Sequence, residues 1–258
     1  MSNRSPLSDV DSRADAIGQA PPFSTWPRPA LVRLAVASTA SSHGAGAHLI
    51  VAGQRCDAVV LVVEGVVLSS VSSQTGRRVT INVDAKSYVY GLAPLVDGLA
   101  LQHDLVVDEH ATAVRIPHAA IRAELARVPA LWESIAVEAT RRSRAFLSQW
   151  YRSVFDAPLV RGASLLLGLV AQSGKDTGDE PVAIALRLSQ ERLAEMLGIS
   201  RQWATALVRE LTDAGIVEWR YGRVTVLDVE ALRVLAASGI NADFQQAARS
   251  AGARGAEA

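Results

Sequence analysis

Residues 187–228 read RLSQERLAEMLGISRQWATALVRELTDAGIVEWRYGRVTVLD. Ser189 can cap a helix beginning at Gln190, since a hydroxyl there accepts from the open amides of a first turn. Leu193, Leu197, Ile199, Ala204 and Leu207 fall where two short helices crossing at a steep angle must touch. Ala194 is small where the second helix presses closest, and Gly198 sits at the turn, where a positive φ favours glycine. Ser200 then caps a second helix, Arg201 to Ala214, which Gly215 stops. An apolar strand, Ile216-Val217, a polar tip running from Trp219 to Arg223 and a second strand, Val224 to Leu227, follow as a hairpin. Caps, contact spacing and hairpin agree on a helix-turn-helix with a wing.

The outward residues of the second helix are Arg201, Gln202 and Thr205, with Arg209 a turn further on. In a helix-turn-helix the start of the second helix enters the major groove, where Arg pairs with guanine O6/N7 and Gln with adenine N6/N7. The expected DNA-contacting set is Ser189, Gln190, Ser200, Arg201, Gln202, Thr205 and Arg209, with Arg220 and Arg223 of the wing reaching phosphates. Bulk charge does not drive this binding: from Arg187 to Arg223 there are six arginines against five acids. Arrangement must do so, with marked salt sensitivity. The bland alternative is a winged helix used for protein contacts.

Upstream, from about Leu31 to Pro117, the texture is short β-branched runs: HLIVA, VVLVVEG, VVLSSVSS, TINVD, DLVV and TAVRIP. Glycine turns divide them, which suits a small sandwich or barrel. Val59 to Val63 is unbroken and apolar, as in a strand buried on both faces, and Gln74-Thr75-Gly76 reads as a hairpin tip. From Ala119 to Phe155 the period becomes helical, with Pro129 starting a longer helix. Leu131, Ile135, Ala139, Arg142, Phe146 and Trp150 form a stripe that Trp132 and Leu147 widen. A core helix is one reading. A two-helix dimer seam fits better, because Arg141, Arg142 and Arg144 carry too much charge for complete burial. Asp156-Ala157-Pro158 ends the helix, and LVRGASLLLGLV (159–170) forms another before the polar loop SGKDTGDEP.

The whole chain has 258 residues, 49% hydrophobic and 20% charged, with no formal net charge. Wholesale disorder is excluded by that balance. The single cysteine, Cys56, excludes disulfide frameworks, multi-cysteine zinc sites and four-cysteine iron–sulfur clusters. No apolar run approaches a membrane span and the N-terminus has no secretory pattern, so no membrane partner and a cytoplasmic location are expected.

This order of parts resembles the Crp/Fnr family of bacterial transcription regulators, over about Leu31 to Ala236. The resemblance is close in residues 189–228 and looser in VVLVVEGVVLSSVSSQTGRRVTI and DEHATAVRIP. Residues 1–27, rich in Ser, Asp, Ala and Pro, read by composition as a flexible arm. The resemblance implies an α+β chain with a β jelly-roll, cyclic-nucleotide-binding-like domain at 28–128. A long dimerisation helix at 129–156, a winged helix-turn-helix at 157–236 and a tail at 237–258 complete it. Val62-Val63-Glu64-Gly65 would form a tight inter-strand turn. Arg201 would read a base, while Gln202 and Ala206 replace a Glu and an Arg of the cyclic-AMP receptor branch and change the target sequence. The expected partners are a double-stranded DNA operator and a second copy of the chain, with RNA polymerase a further partner the resemblance allows.

Cyclic-AMP-binding members hold the phosphate with Gly-Glu and Arg-Ser or Arg-Ala pairs. Here Leu92 follows Tyr90-Gly91, and the second pair falls on Leu101-Gln102. An apolar residue cannot compensate a phosphate, so cyclic AMP in that mode is not expected. The candidate effector-pocket residues are Tyr88, Tyr90, Gly91, Leu101, Gln102, Arg141 and Arg144. The open alternatives are a cyclic dinucleotide on Arg77, Arg78, Arg141 or Arg144, or no effector. No resident cofactor or metal is expected. His43, His48, His103, His110 and His118 read as surface or pocket histidines, although His103 and His110 flank a strand. A cupin-like metal-dependent enzyme lacks support, since there is no His-x-His pair. A ligand-free interaction module is the other alternative.

Overall fold

In this computed structural model, residue 7 and residues 9–72, 78–84, 87–172, 181–184 and 186–239 are described. The chain divides into two units, Met1–Ser143 and Arg144–Ala258. The first begins with α1 (Val10–Gly18), a 3-10 turn (Phe23–Thr25) and α2 (Arg28–Ala37). Strands β1 (Thr39–Gly44), β2 (His48–Ile50), β3 (Ala58–Ser72), β4 (Arg78–Asp84) and β5 (Tyr88–Tyr90) follow. Then come α3 (Leu92–Asp97), β6 (Asp104–Pro117), α4 (His118–Arg127), a 3-10 turn (Pro129–Leu131) and the start of α5 (Trp132–Phe155).

The sheet is antiparallel in the order β1-β6-β3-β4, with β2 also on β6 and β5 also on β3. Its spine is the pair of long strands β3 and β6, whose register shifts at Val62/Glu64 and Gly65/Val67. Such bulges bend a strand, which lets one ladder wrap into a roll. The residues expected at a tight turn, Val62 to Gly65, therefore lie inside one continuous strand. Gly65 has φ +90°, and a Cβ there would sit 1.9 Å from the His110 carbonyl oxygen. Only glycine fits a backbone this close to its neighbour.

Alternation along β3 separates two cores. Val59 and Leu61 join a layer with Ile17, Phe23, Leu34 and Ile121 of the helices. Val60, Val62 and Val67 join Ile50, Tyr90, Leu105 and Val107 in the interior of the roll. Val59 to Val62 are buried, as a strand covered on both faces requires.

The N-terminal segment is not a flexible arm. Asp9 caps α1 by accepting from the Ser12 amide at 2.8 Å, and Ala14, Ile17, Ala20 and Phe23 are fully buried. Phe23 and Trp26 pack edge to face at 5.1 Å, and the Trp26 indole donates to Ser134 Oγ at 2.8 Å. Small residues make this packing possible. Alanine brings α1 and α2 close together while leaving the composition looking polar.

The second unit holds the end of α5 and α6 (Pro158–Gln172), β7 (Val182–Ala183), α7 (Gln190–Leu197) and α8 (Arg201–Asp213). Strands β8 (Val217–Arg220) and β9 (Arg223–Val226) and helix α9 (Val229–Ala237) complete it. Its sheet runs β7-β9-β8, over a core that includes Leu166, Leu188, Leu193, Leu211 and Leu232. The hairpin tip Gln74-Thr75-Gly76, Arg77, the loop 173–180 and the tail from 240 lie outside the described residues.

Helix α5 has 24 residues, about 36 Å at 1.5 Å per residue. The expected single stripe along it is divided. Leu131, just before the helix, and Ile135 are buried in the core of the first unit, whereas Phe146 is 62% and Trp150 52% exposed. Val137, Leu147, Tyr151 and Val154 are also exposed. With Thr140 and Arg144 they recur at alternating intervals of three and four, the spacing of a two-helix seam.

Candidate nucleic-acid interface

Both helices of the helix-turn-helix start where the hydroxyls were expected. Ser189 Oγ accepts from the Arg192 amide at 3.1 Å and Ser200 Oγ from the Trp203 amide at 3.3 Å. Gly198 makes the turn at φ +64°, and Ala194, Leu197, Ala204 and Leu207 are buried against each other's helices. Thr205 Oγ1 lies 2.9 Å from Gln190 Oε1 and 3.0 Å from the Arg201 carbonyl. That hydroxyl ties the two helix starts together.

Arg201 and Gln202 are exposed on the first turn of α8, and no hydrogen bond or ion pair engages their side chains among the described residues. Trp203, 61% exposed, extends this face with a large ring that the sequence reading passed over. Arg209 pairs with Asp213 at 3.3 Å. In the wing, Arg220 pairs with Glu218 at 2.7 Å, and Arg220 and Arg223 face each other across the ladder. Tyr221 is 95% exposed at the tip. Tyr221 and Gly222 both have positive φ, the geometry of a two-residue hairpin. The face thus presents free donors and acceptors on one helix and two flanking guanidiniums on a hairpin.

The interior of the roll offers a different chemistry from the one an anion needs. Tyr90 is buried and donates its hydroxyl to Asp84 Oδ2; Ser69 Oγ donates to the Tyr90 oxygen at 3.3 Å. Asn82 donates to Asp84 Oδ1 at 2.7 Å. Burial pushes the Asp84 carboxyl up to about 6, against the hydrogen bond from Tyr90 and the charge of Arg142. Burial and the neighbouring Asp84 raise Tyr90.

Arg142, absent from the expected pocket set, lies over the Tyr88 ring at 4.6 Å. Glu138, buried, accepts from Arg141 Nε at 2.7 Å and Nη2 at 2.8 Å and from Arg142 Nε at 2.6 Å. Burial raises the Glu138 carboxyl, but the two arginines outweigh it and hold it below its ordinary value.

The other expected pocket residues have structural employment. Gly91 starts α3 at φ +86°, where a Cβ would come within 2.6 Å of the Ala58 carbonyl oxygen. Leu101 packs against the roll core, Gln102 is exposed, and Arg144 belongs to the second unit. His118 is buried with Nε2 3.0 Å from the Gly91 carbonyl, and burial lowers its pKa. Burial also lowers His103, which packs against Tyr90. Among the described residues no cluster of three metal-ligating side chains occurs.

The titration of Asp84 has a measurable consequence. Its pKa rises on folding from 3.8 to about 6, so the folded state holds the proton more tightly. The favourable contribution is full below about pH 4 and is lost as the pH climbs through 6. Asp84→Asn, which removes the buried charge and keeps an acceptor for Tyr90, is expected to be about 1–3 kcal/mol more stable than wild type at pH 7.5. That advantage should shrink toward pH 4. Urea unfolding at the two pH values checks it, and equal stability at pH 7.5 contradicts it.

A winged helix-turn-helix with an open recognition face stands on the same chain as a β-roll. Residues 160–235 match the Crp-like helix-turn-helix domain family. Among solved structures, a transcriptional regulator of the CRP/FNR family from Thermus thermophilus is 20% identical. It covers 77% of this chain and 98% of its own, with a TM-score of 0.64. The c-di-GMP-responsive global regulator CLP of Xanthomonas campestris is 17% identical over 78% of this chain and 99% of its own, TM-score 0.65. FixK2 of Bradyrhizobium japonicum is 15% identical over 77% and 96%, TM-score 0.65. No curated protein matches the chain in sequence. The chain has the fold of solved Crp/Fnr regulators, and its residues 160–235 carry a Crp-like helix-turn-helix domain. No helix among the described residues is long and apolar enough to cross a membrane.

Proposed function

We propose that the protein is a homodimeric, sequence-specific repressor or activator that reads a pseudo-palindromic operator. The observation that carries the reading is the exposed, unengaged pair Arg201 and Gln202 on a capped helix, flanked by Arg220 and Arg223. In this reading Arg201 and Gln202 read base edges, with Trp203 in apolar contact beside them. Ser189, Gln190, Ser200, Thr205, Arg209, Arg220 and Arg223 set the register on phosphates. The exposed seam of α5 supports pairing with a second copy, which places two recognition helices one DNA turn apart.

The roll interior supports leaving cyclic AMP out. The family resemblance puts Leu92, Leu101 and Gln102 at the positions where an anion would need charge, and Asp84 adds a buried carboxyl of its own. The Xanthomonas campestris structure is of a c-di-GMP-responsive protein. Here such a ligand would have to displace Glu138 from Arg141. The test is selection of bound sequences from a random duplex pool by the full-length protein. An enriched inverted repeat with half-site centres about 10 base pairs apart is expected; a pool without an enriched motif overturns the reading.

A further inference from the structure

Within the second unit, a cleft of about 380 Å³ lies between the end of α5, helix α6 and the end of α7. Arg152 and Ser153 of α5, Arg161 and Ser164 of α6 and Met196 of α7 line it. No carboxylate is among its lining residues. Arg161 donates through Nη1 to the Leu197 carbonyl at 3.1 Å, but its Nε is buried without a hydrogen-bond partner. Arg152 Nη2 donates to the Ala236 carbonyl at 3.4 Å, and Arg152 Nε, 3.7 Å from Asp156 Oδ2, is likewise buried and unbonded. Asp156 offsets one of the two positive charges, while no ion pair offsets Arg161 among the described residues.

A buried guanidinium N–H without an acceptor is costly, and proteins rarely leave one so without a use. Two guanidiniums at one cleft, each with an N–H short of an acceptor, form a receptor for an oxyanion; the Ser153 and Ser164 hydroxyls already donate to the Trp150 and Val160 carbonyls. Phosphate suits it, having acceptor oxygens enough for both guanidiniums. The volume falls in the range of small-molecule sites, and Met196 supplies an apolar wall for the body of a ligand.

We infer that this cleft binds a phosphate-bearing small metabolite of about nucleoside-monophosphate size, its phosphate on Arg161 and Arg152. The site lies away from the exposed seam. Ala145 and Arg152 stand about 200° around α5 from Leu147 and Val154, two residues further on. A ligand there bridges α5 to α6 and to α7, which opens the helix-turn-helix. The binding claim needs no DNA and stands whether or not the operator reading does.

The test is titration of the full-length protein with AMP and GMP, followed by calorimetry and by hydrogen exchange without DNA. Saturable millimolar or tighter binding is expected, with exchange slowed in the last turns of α5 and in α6. Arg161→Gln should weaken binding at least tenfold, and Ser164→Trp, which fills the cleft, should abolish it. Absence of saturable binding by either nucleotide overturns the inference. So does protection confined to other elements, or undiminished binding in a folded Ser164→Trp protein. The exchange pattern of the unmodified protein decides the matter even where a variant folds poorly.

Discussion

Arg201→Ala is expected to cost about 1–3 kcal/mol of operator affinity, roughly 5- to 150-fold, with the loss concentrated at one base position of each half-site. Random duplex should weaken far less, because only one charge near the backbone is removed. Arg201→Lys separates charge from geometry. It retains the cation but loses the planar fork that meets guanine O6 and N7 together, so it should rescue random-duplex binding and not discrimination. Comparing both variants on an operator and on its single-base variants checks this. The side chain is exposed on the first turn of a capped helix, so neither change should disturb the fold. Unchanged discrimination in Arg201→Ala would remove Arg201 from base reading.

The second large effect concerns α5. Leu147→Glu with Trp150→Glu places two like charges on each side of the seam, where burial would leave them unpaired. Both residues are exposed in the single chain, at 45% and 52%, so the folded protomer should tolerate them with unchanged circular dichroism. The pair of chains should not. A monomer loses the second recognition helix, and operator affinity should fall at least about 100-fold, or roughly 3 kcal/mol. Sedimentation of the variant checks the first outcome and mobility shift the second. A variant that stays dimeric locates the interface elsewhere.

What the sequence made legible was local. Ser189, Gly198, Ser200 and Gly215 act on the backbone within four residues of themselves, so the helix-turn-helix could be read directly. The wing followed from the turn chemistry at Tyr221-Gly222. The N-terminal helices were hidden because Ala14, Ala20 and Ala30 supply much of the packing around a few large side chains such as Ile17, Phe23 and Leu34. Strand β1, Thr39–Gly44, was hidden because its residues are mostly polar and lie on a sheet edge. The division of α5 into a buried start and an exposed end is set by what the first unit covers, which periodicity cannot specify.

The roll interior was the least legible part. Asp84, Tyr90 and Ser69 meet only through the pairing of β3 with β4 and β5, and no spacing rule joins them. Glu138 with Arg141 and Arg142 was open to prediction, since charges three and four residues apart share a helix face. Arg141 instead read as an anion ligand and Arg142 as part of the helix stripe, because a guanidinium looks alike in sequence whether or not it already has a partner.

Two copies of this chain must read one duplex together for the proposed regulation to work. Native mass measurement of the full-length protein on a duplex carrying the selected inverted repeat tests this most directly. Two chains per duplex are predicted, with the complex depleted to free dimer and bare duplex when either half-site is scrambled at its Arg201-contacted base. A single chain on the intact repeat would contradict paired reading.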